Sequence, residues 1–177
     1  MDGIKRVLEA VKQYGPDVEQ YRSIGMIRAE RKDELLIFNY TKEAQYSNTW
    51  GKVERVCRGL IVHWPTAKVV ARGFDKFFNY DQLSASEWRA LLKKPCEITI
   101  KYDGSLGIGF YWDKEWHVAT RGSFVSPQAV WATEWLRRYC GDKLDDMPAD
   151  IALLFEIIYP ENRVVVNYGD DAHLVLI

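Results

Sequence analysis

Short apolar runs, each ended by a tight polar break, recur through most of this sequence and restrict it to antiparallel sheet architecture. From Ile24 to about Arg72 the breaks are Arg31-Lys32-Asp33 and Pro65-Thr66, which read as hairpin turns. Across the second, Leu60-Ile61-Val62 is expected to pair with Val69-Val70-Ala71. Residues 97–101, 106–112 and 116–121 read as a second antiparallel unit, with Asp113-Lys114-Glu115 as a tight turn and Lys101 at a strand end. Residues 151–159 are apolar almost throughout apart from Glu156, and 164–166 and 174–177 read as further strands, so the chain is expected to end inside a strand.

Three stretches carry helical spacing instead. Ile4, Val7, Leu8, Val11 and Tyr14 form an apolar stripe that Gly15-Pro16 ends, predicting a surface helix over residues 4–14 that braces the fold. Ser84-Ala85-Ser86-Glu87 has the spacing of a capping box, and Trp88, Leu91 and Leu92 extend a helix to about Lys94, before Pro95. Ser126-Pro127 starts a third helix of about four turns, with Gly141 as its stop. The expected class is α+β, antiparallel β-sheets with flanking helices. With 177 residues, 47% of them apolar, one core is the expectation, so residues 1–177 are read as a single domain.

Composition excludes several functions. Net charge is −1, so bulk electrostatics does not draw the molecule to a polyanion or an anionic membrane, and any phosphate site has to be local. Cys57, Cys96 and Cys140 are odd in number and lack Cys-x-x-Cys spacing, which predicts a reducing, cytoplasmic location rather than a zinc or redox centre. No apolar stretch reaches the roughly 18 residues of a bilayer span, so no membrane partner is expected. His63, His117 and His173 are scattered without metal-ligand spacing. Lys93-Lys94 and Arg137-Arg138 are read as solvated helix faces.

One tetrapeptide carries chemistry. Lys101 in Lys101-Tyr102-Asp103-Gly104 follows an apolar run, and an ammonium at the rim of a low-dielectric cleft is pushed towards the neutral, nucleophilic amine. Asp103 would share a side of the extended chain with it and orient the amine or a metal, while Gly104 permits close approach of a ligand. The glycines Gly104, Gly107 and Gly109 lack the ending of a phosphate loop and read as a strand whose small residues allow close approach.

The run Lys101-Tyr102-Asp103-Gly104-Ser105 resembles the acceptor motif of covalent nucleotidyltransferases, whose domain is ATP-grasp-like. Four further stretches are similar, in order, to the phage-type ATP-dependent RNA ligases of tRNA repair. These are Arg55-Val56-Cys57-Arg58-Gly59-Leu60; Arg72 through Asn79, containing Lys76-Phe77-Phe78; Thr120-Arg121-Gly122-Ser123; and Phe155-Glu156-Ile157-Ile158-Tyr159 followed by Asn162-Arg163-Val164-Val165.

The resemblance implies that Lys101 attacks the α-phosphate of ATP and becomes lysyl-AMP, with Asp103 and Glu156 beside it in the catalytic set. Arg55 and Lys76 would neutralise phosphate charge, Phe78 would stack on adenine, and Gly104 and Arg121 would line the cleft, with Tyr40 a looser match for the same pocket. Glu156 would hold ribose hydroxyls or a metal; the alternative is a buried structural ion pair. ATP and Mg2+ are the implied cofactors, no metal ligand is assigned, and the implied partners are RNA 5′-phosphate and 3′-hydroxyl ends, tRNA among them. Two later motifs of the family, one with a glutamate and one with paired lysines, have no match, so the chain is expected to be a shortened form. Two alternatives stay open: a nucleotide or RNA-end binding module without catalysis, and another covalent nucleotidyltransferase of DNA-ligase or capping type.

Overall fold

A computed structural model describes residues 2–177. Eight strands form two antiparallel four-stranded sheets. The first sheet runs β1 (Ile27–Lys32), β2 (Leu35–Tyr40), β3 (Arg58–His63) and β4 (Lys68–Ala71), in that order. The expected pairing of β3 with β4 is present, with Ile61 opposite Ala71 and Val62 opposite Val69 across a register shift. The second sheet has the order β6-β5-β7-β8, from β5 (Ser105–Trp112), β6 (Glu115–Thr120), β7 (Leu153–Ile158) and β8 (His173–Leu176). Asp113 and Lys114 both take positive φ between β5 and β6, the two-residue turn whose twist matches a hairpin.

Alternation along the strands builds three apolar layers. Leu36 and Phe38 on one face of β2 join Leu60 and Val62 beneath α1 (Gly3–Tyr14), whose Val7 and Val11 are buried there. Leu35 and Ile37 on the other face meet Ile108, Phe110 and Ala119 of the second sheet. The far side of the second sheet packs Val118, Phe155 and Ile157 against Ala132 and Leu136 of α5 (Pro127–Leu144). Because β2 faces a layer on each side, all six of its residues are buried.

Several expectations require correction. Residues 97–101 and 164–166 are not strands; both stretches are exposed and join no sheet among the described residues. Lys101 therefore does not sit at a strand end. The helix after the capping box, α4 (Ala85–Leu91), ends three residues before Lys94. α5 passes through Gly141 to Leu144 and so has 18 residues, about five turns rather than four; a Cβ at Gly141 would meet nothing, so no left-handed stop is enforced there. Two short helices with no clear sequence signal, α2 (Lys42–Tyr46) and α3 (Lys52–Val56), join β2 to β3.

Candidate functional site

At the end of the first sheet where β2 finishes and β3 begins, five of the sequence-predicted residues converge. Tyr40 ends β2, Arg55 lies in α3, Arg121 follows β6, and Lys76 and Phe78 lie in the irregular chain after β4. The Arg121 guanidinium donates to the Tyr40 hydroxyl at 2.7 Å and lies 4.9 Å from the ring centre. The Lys76 ammonium sits 4.1 Å from the centre of Phe78 and the Arg55 guanidinium 5.2 Å from it, so cations cover the Phe78 ring. The backbone fixes this approach, because the Lys76 N–H donates to the Arg55 carbonyl at 2.8 Å.

Two residues that carried no assigned role belong to the same cluster. Arg58 is the first residue of β3, and burial lowers its pKa, with Tyr40 and Glu156 opposing that effect and Arg121 adding to it. It sat in the quoted Arg-Gly run, so its signal was present in the sequence. Its neighbour Gly59 has φ 83°, and a side chain there would strike Ile108 of the second sheet. Trp50, by contrast, had no motif. Its ring packs edge-on against Tyr40 at 4.9 Å and Phe78 at 5.7 Å, the Lys76 ammonium lies 4.9 Å from its centre, and its carbonyl accepts from Arg55 Nε at 3.2 Å.

The cluster is strongly cationic. Burial lowers the Lys76 pKa first, and Arg58, Arg121 and Arg55 lower it further, so the four charges repel one another. Among the described residues, none of the four is in an ion pair within 4 Å. Self-repulsion of this kind, in a molecule of net charge −1, is relieved by a bound polyanion.

Lys101, Asp103, Gly104 and Glu156 form a second group beside the first. Burial raises the Glu156 pKa, opposed by the Lys101 charge, the Gly104 N–H and, more weakly, Arg58. Arg58 thus links the two groups. Glu156 is in no ion pair among the described residues, which removes the structural-pair alternative. Gly104 lies so close to the Ile157 carbonyl that any side chain would clash. Lys101 itself is exposed, so the desolvation expected from a strand rim is not supplied; its ammonium lies 3.5 Å from the Tyr102 carbonyl. Asp103 does not orient that amine. Its carboxylate accepts from the Val165 and Val166 N–H groups, each at 2.7 Å, and these bonds hold its pKa below the ordinary carboxylate range.

Among the described residues, no three His, Cys, Asp or Glu side chains converge to hold a metal, and no helix is long and apolar enough to cross a membrane. The cation cluster and its aromatic walls suit a phosphorylated, planar ligand.

A family model described as RNA ligase matches residues 56–177. The "RNA ligase" of Rhodothermus phage RM378 is 24% identical over 199 residues, covering 90% of this chain and 44% of the phage protein. A "Putative bifunctional polynucleotide kinase/RNA ligase" of Autographa californica nuclear polyhedrosis virus is 28% identical over 172 residues, covering 84% of this chain and 24% of the viral one. A "Putative RNA ligase" of Thermovibrio ammonificans is 30% identical over 121 residues, covering 66% and 31%. The chain therefore spans less than half the length of these curated relatives.

Proposed function

The chain belongs to the RNA ligase family, and from that premise we propose that it is the nucleotide-accepting part of an ATP-dependent RNA ligase, with Lys101 as the AMP acceptor. The observation that carries the reading is the cluster of Arg55, Arg58, Lys76 and Arg121, in no ion pair among the described residues, beside Lys101 and Glu156. It supports a triphosphate at the one place where a lysine nucleophile is also at hand.

In the proposed reaction, the Lys101 amine attacks the α-phosphate of ATP, the bond to the β-phosphate breaks, and pyrophosphate leaves. The proton released as the P–N bond forms passes to solvent or to the departing phosphate. Arg55, Arg58, Lys76 and Arg121 offset the charge on the phosphates, which is the main work of phosphoryl-type transfer. Phe78, Tyr40 and Trp50 wall the adenine, with Lys76 leaving the Phe78 face as the base arrives. Glu156 accepts from the ribose hydroxyls. Magnesium would enter as the counter-ion of the triphosphate. AMP would then pass to an RNA 5′-phosphate, and a 3′-hydroxyl would expel it as the ends join; nicked tRNA is one such substrate. The whole of residues 1–177 acts as one domain in this reading.

A sealing assay with matched RNA and DNA ends tests the substrate class. Sealing of RNA alone is expected; sealing of DNA ends at an equal rate would overturn the assignment. The exposure of Lys101 favours a second reading, nucleotide binding without transfer. A rise in melting temperature with ATP, without a covalent mass gain, would select it.

A further inference from the structure

Aromatic side chains form a continuous stack on α5 that the nucleotide site does not use. Trp131, Trp135 and Tyr139 recur every fourth residue, with ring centres 6.5 and 5.0 Å apart and interplanar angles of 27° and 42°. Tyr159, which follows β7, stacks on Trp131 at 4.5 Å and 23°. The core uses this row only in part: Trp131 and Tyr159 pack against the layer between α5 and the second sheet, while Tyr139 is exposed and the buried residues of α5 are Ala129, Ala132, Leu136 and Leu144. The row lies beside these, tied down where Trp135 Nε1 donates to the Ala172 carbonyl at 3.1 Å.

The inner end of the row opens on a cavity of about 180 Å³, lined by Tyr159, Asn162, Arg163, Tyr168 and Asp103 among others. That volume is below the range of drug-sized ligand pockets and suits one planar ring system. It also adjoins the reactive segment, since Asp103 is two residues from Lys101 and Tyr159 three from Glu156. One face of Tyr159 is covered by Trp131; among the described residues no other aromatic ring stacks on it.

We propose that this cavity receives an unpaired nucleobase of the RNA end, stacked on Tyr159 and backed by the Trp131-Trp135-Tyr139 row. The inference rests on the ligase reading above and adds to it where the polynucleotide lies. Single-stranded nucleic acids bind aromatic platforms through the faces of their bases, with little regard to sequence. The polar groups here favour the same tolerance. Both functions of the Asn162 amide are spent, on the Ile157 carbonyl and the Ser105 hydroxyl, and the Tyr168 hydroxyl already accepts from the Asp103 N–H. Arg163 is exposed and in no ion pair among the described residues, so it is placed for a single phosphate. Glu161 and Asp171 nearby oppose a longer basic track, and the salt dependence of binding is accordingly expected to be shallow.

Titration with a short single-stranded oligoribonucleotide bearing a 5′-phosphate, read by tryptophan fluorescence, tests the proposal. Quenching is expected, with the Kd about tenfold weaker in Tyr159→Ala and restored in Tyr159→Phe. Equal affinity in Tyr159→Ala would overturn it. Should that variant not fold, photocrosslinking of 4-thiouridine-ended RNA to the unaltered chain decides: adducts on residues 159–168 support the cavity, and adducts only elsewhere, or none, sink it. An absence of quenching and crosslinks, as a protein-docking face would give, sinks it as well. AMP transfer to Lys101 without RNA at the cavity removes this inference alone, whereas RNA at the cavity without AMP transfer removes the ligase reading.

Discussion

The first sheet and residues 80–101 have similar apolar character in sequence and opposite fates in the structure. Every residue of β2 is buried between two layers, while no residue from 80 to 101 is buried and Ile98 is 93% exposed. A strand is made by its partner and not by its own propensity. Leu36 and Phe38 find neighbours on both flanking strands and under α1; the Ile98-Thr99-Ile100 alternation finds none. The packed region supplies stability, and the exposed one carries Lys101, the proposed AMP acceptor.

The sharpest way to break this comparison is thermodynamic. Leu36→Ala is expected to cost about 3 kcal/mol in chemical denaturation, and Ile98→Ala less than about 0.5 kcal/mol. Comparable costs would mean that the 97–101 stretch is packed after all. Next in size, Lys76→Ala and Arg58→Ala are each expected to slow AMP transfer about a hundredfold, roughly 2.7 kcal/mol, with little change in melting temperature. A variant as fast as the parent would remove that cation from the site. Trp50→Ala is expected to weaken ATP binding about tenfold, because it removes the ring that packs on Tyr40 and Phe78 and faces Lys76, while Trp50→Phe keeps an aromatic wall and most of the affinity. Identical losses in the two would leave the wall without a role.

The smallest effect concerns the clasp between Asp103 and residues 165–166. The folded-state pKa of Asp103 is depressed, so its contribution is present above the ordinary aspartate range and is lost as pH falls through the depressed value. Amide exchange at Val165 and Val166 is expected to quicken in acid relative to other exposed amides, and Asp103→Asn is expected to remove that pH dependence. A pH-independent clasp in the parent chain would contradict the assigned bonds.

Much of this was legible in the residues. Hairpin breaks at Arg31-Lys32-Asp33, Pro65-Thr66 and Asp113-Lys114-Glu115 are local, and the structure turns at each of them. The Ser84 and Ser126 helix starts likewise depend on bonds within one turn, to the N–H groups of Glu87 and Ala129. What failed depended on partners far along the chain. Residues 97–101 and 164–166 have strand composition, but only a distant strand could confirm it. Gly141 looked like a helix stop, yet the continuation to Leu144 is paid by Trp116, whose indole donates to the Leu144 carbonyl from 28 residues away. In the site, Tyr40, Arg55, Lys76, Phe78 and Arg121 are neighbours in the structure. Trp50 joins them only through tertiary contact, which no local pattern announces.

Intact mass measurement of the chain after incubation with ATP and magnesium, beside Lys101→Ala, tests the central claim most directly. The account expects a gain of one AMP in the parent chain, reversed by added pyrophosphate, and none in the variant at unchanged melting temperature. A gain that survives in Lys101→Ala, or ATP binding with no covalent gain in the parent, would contradict it.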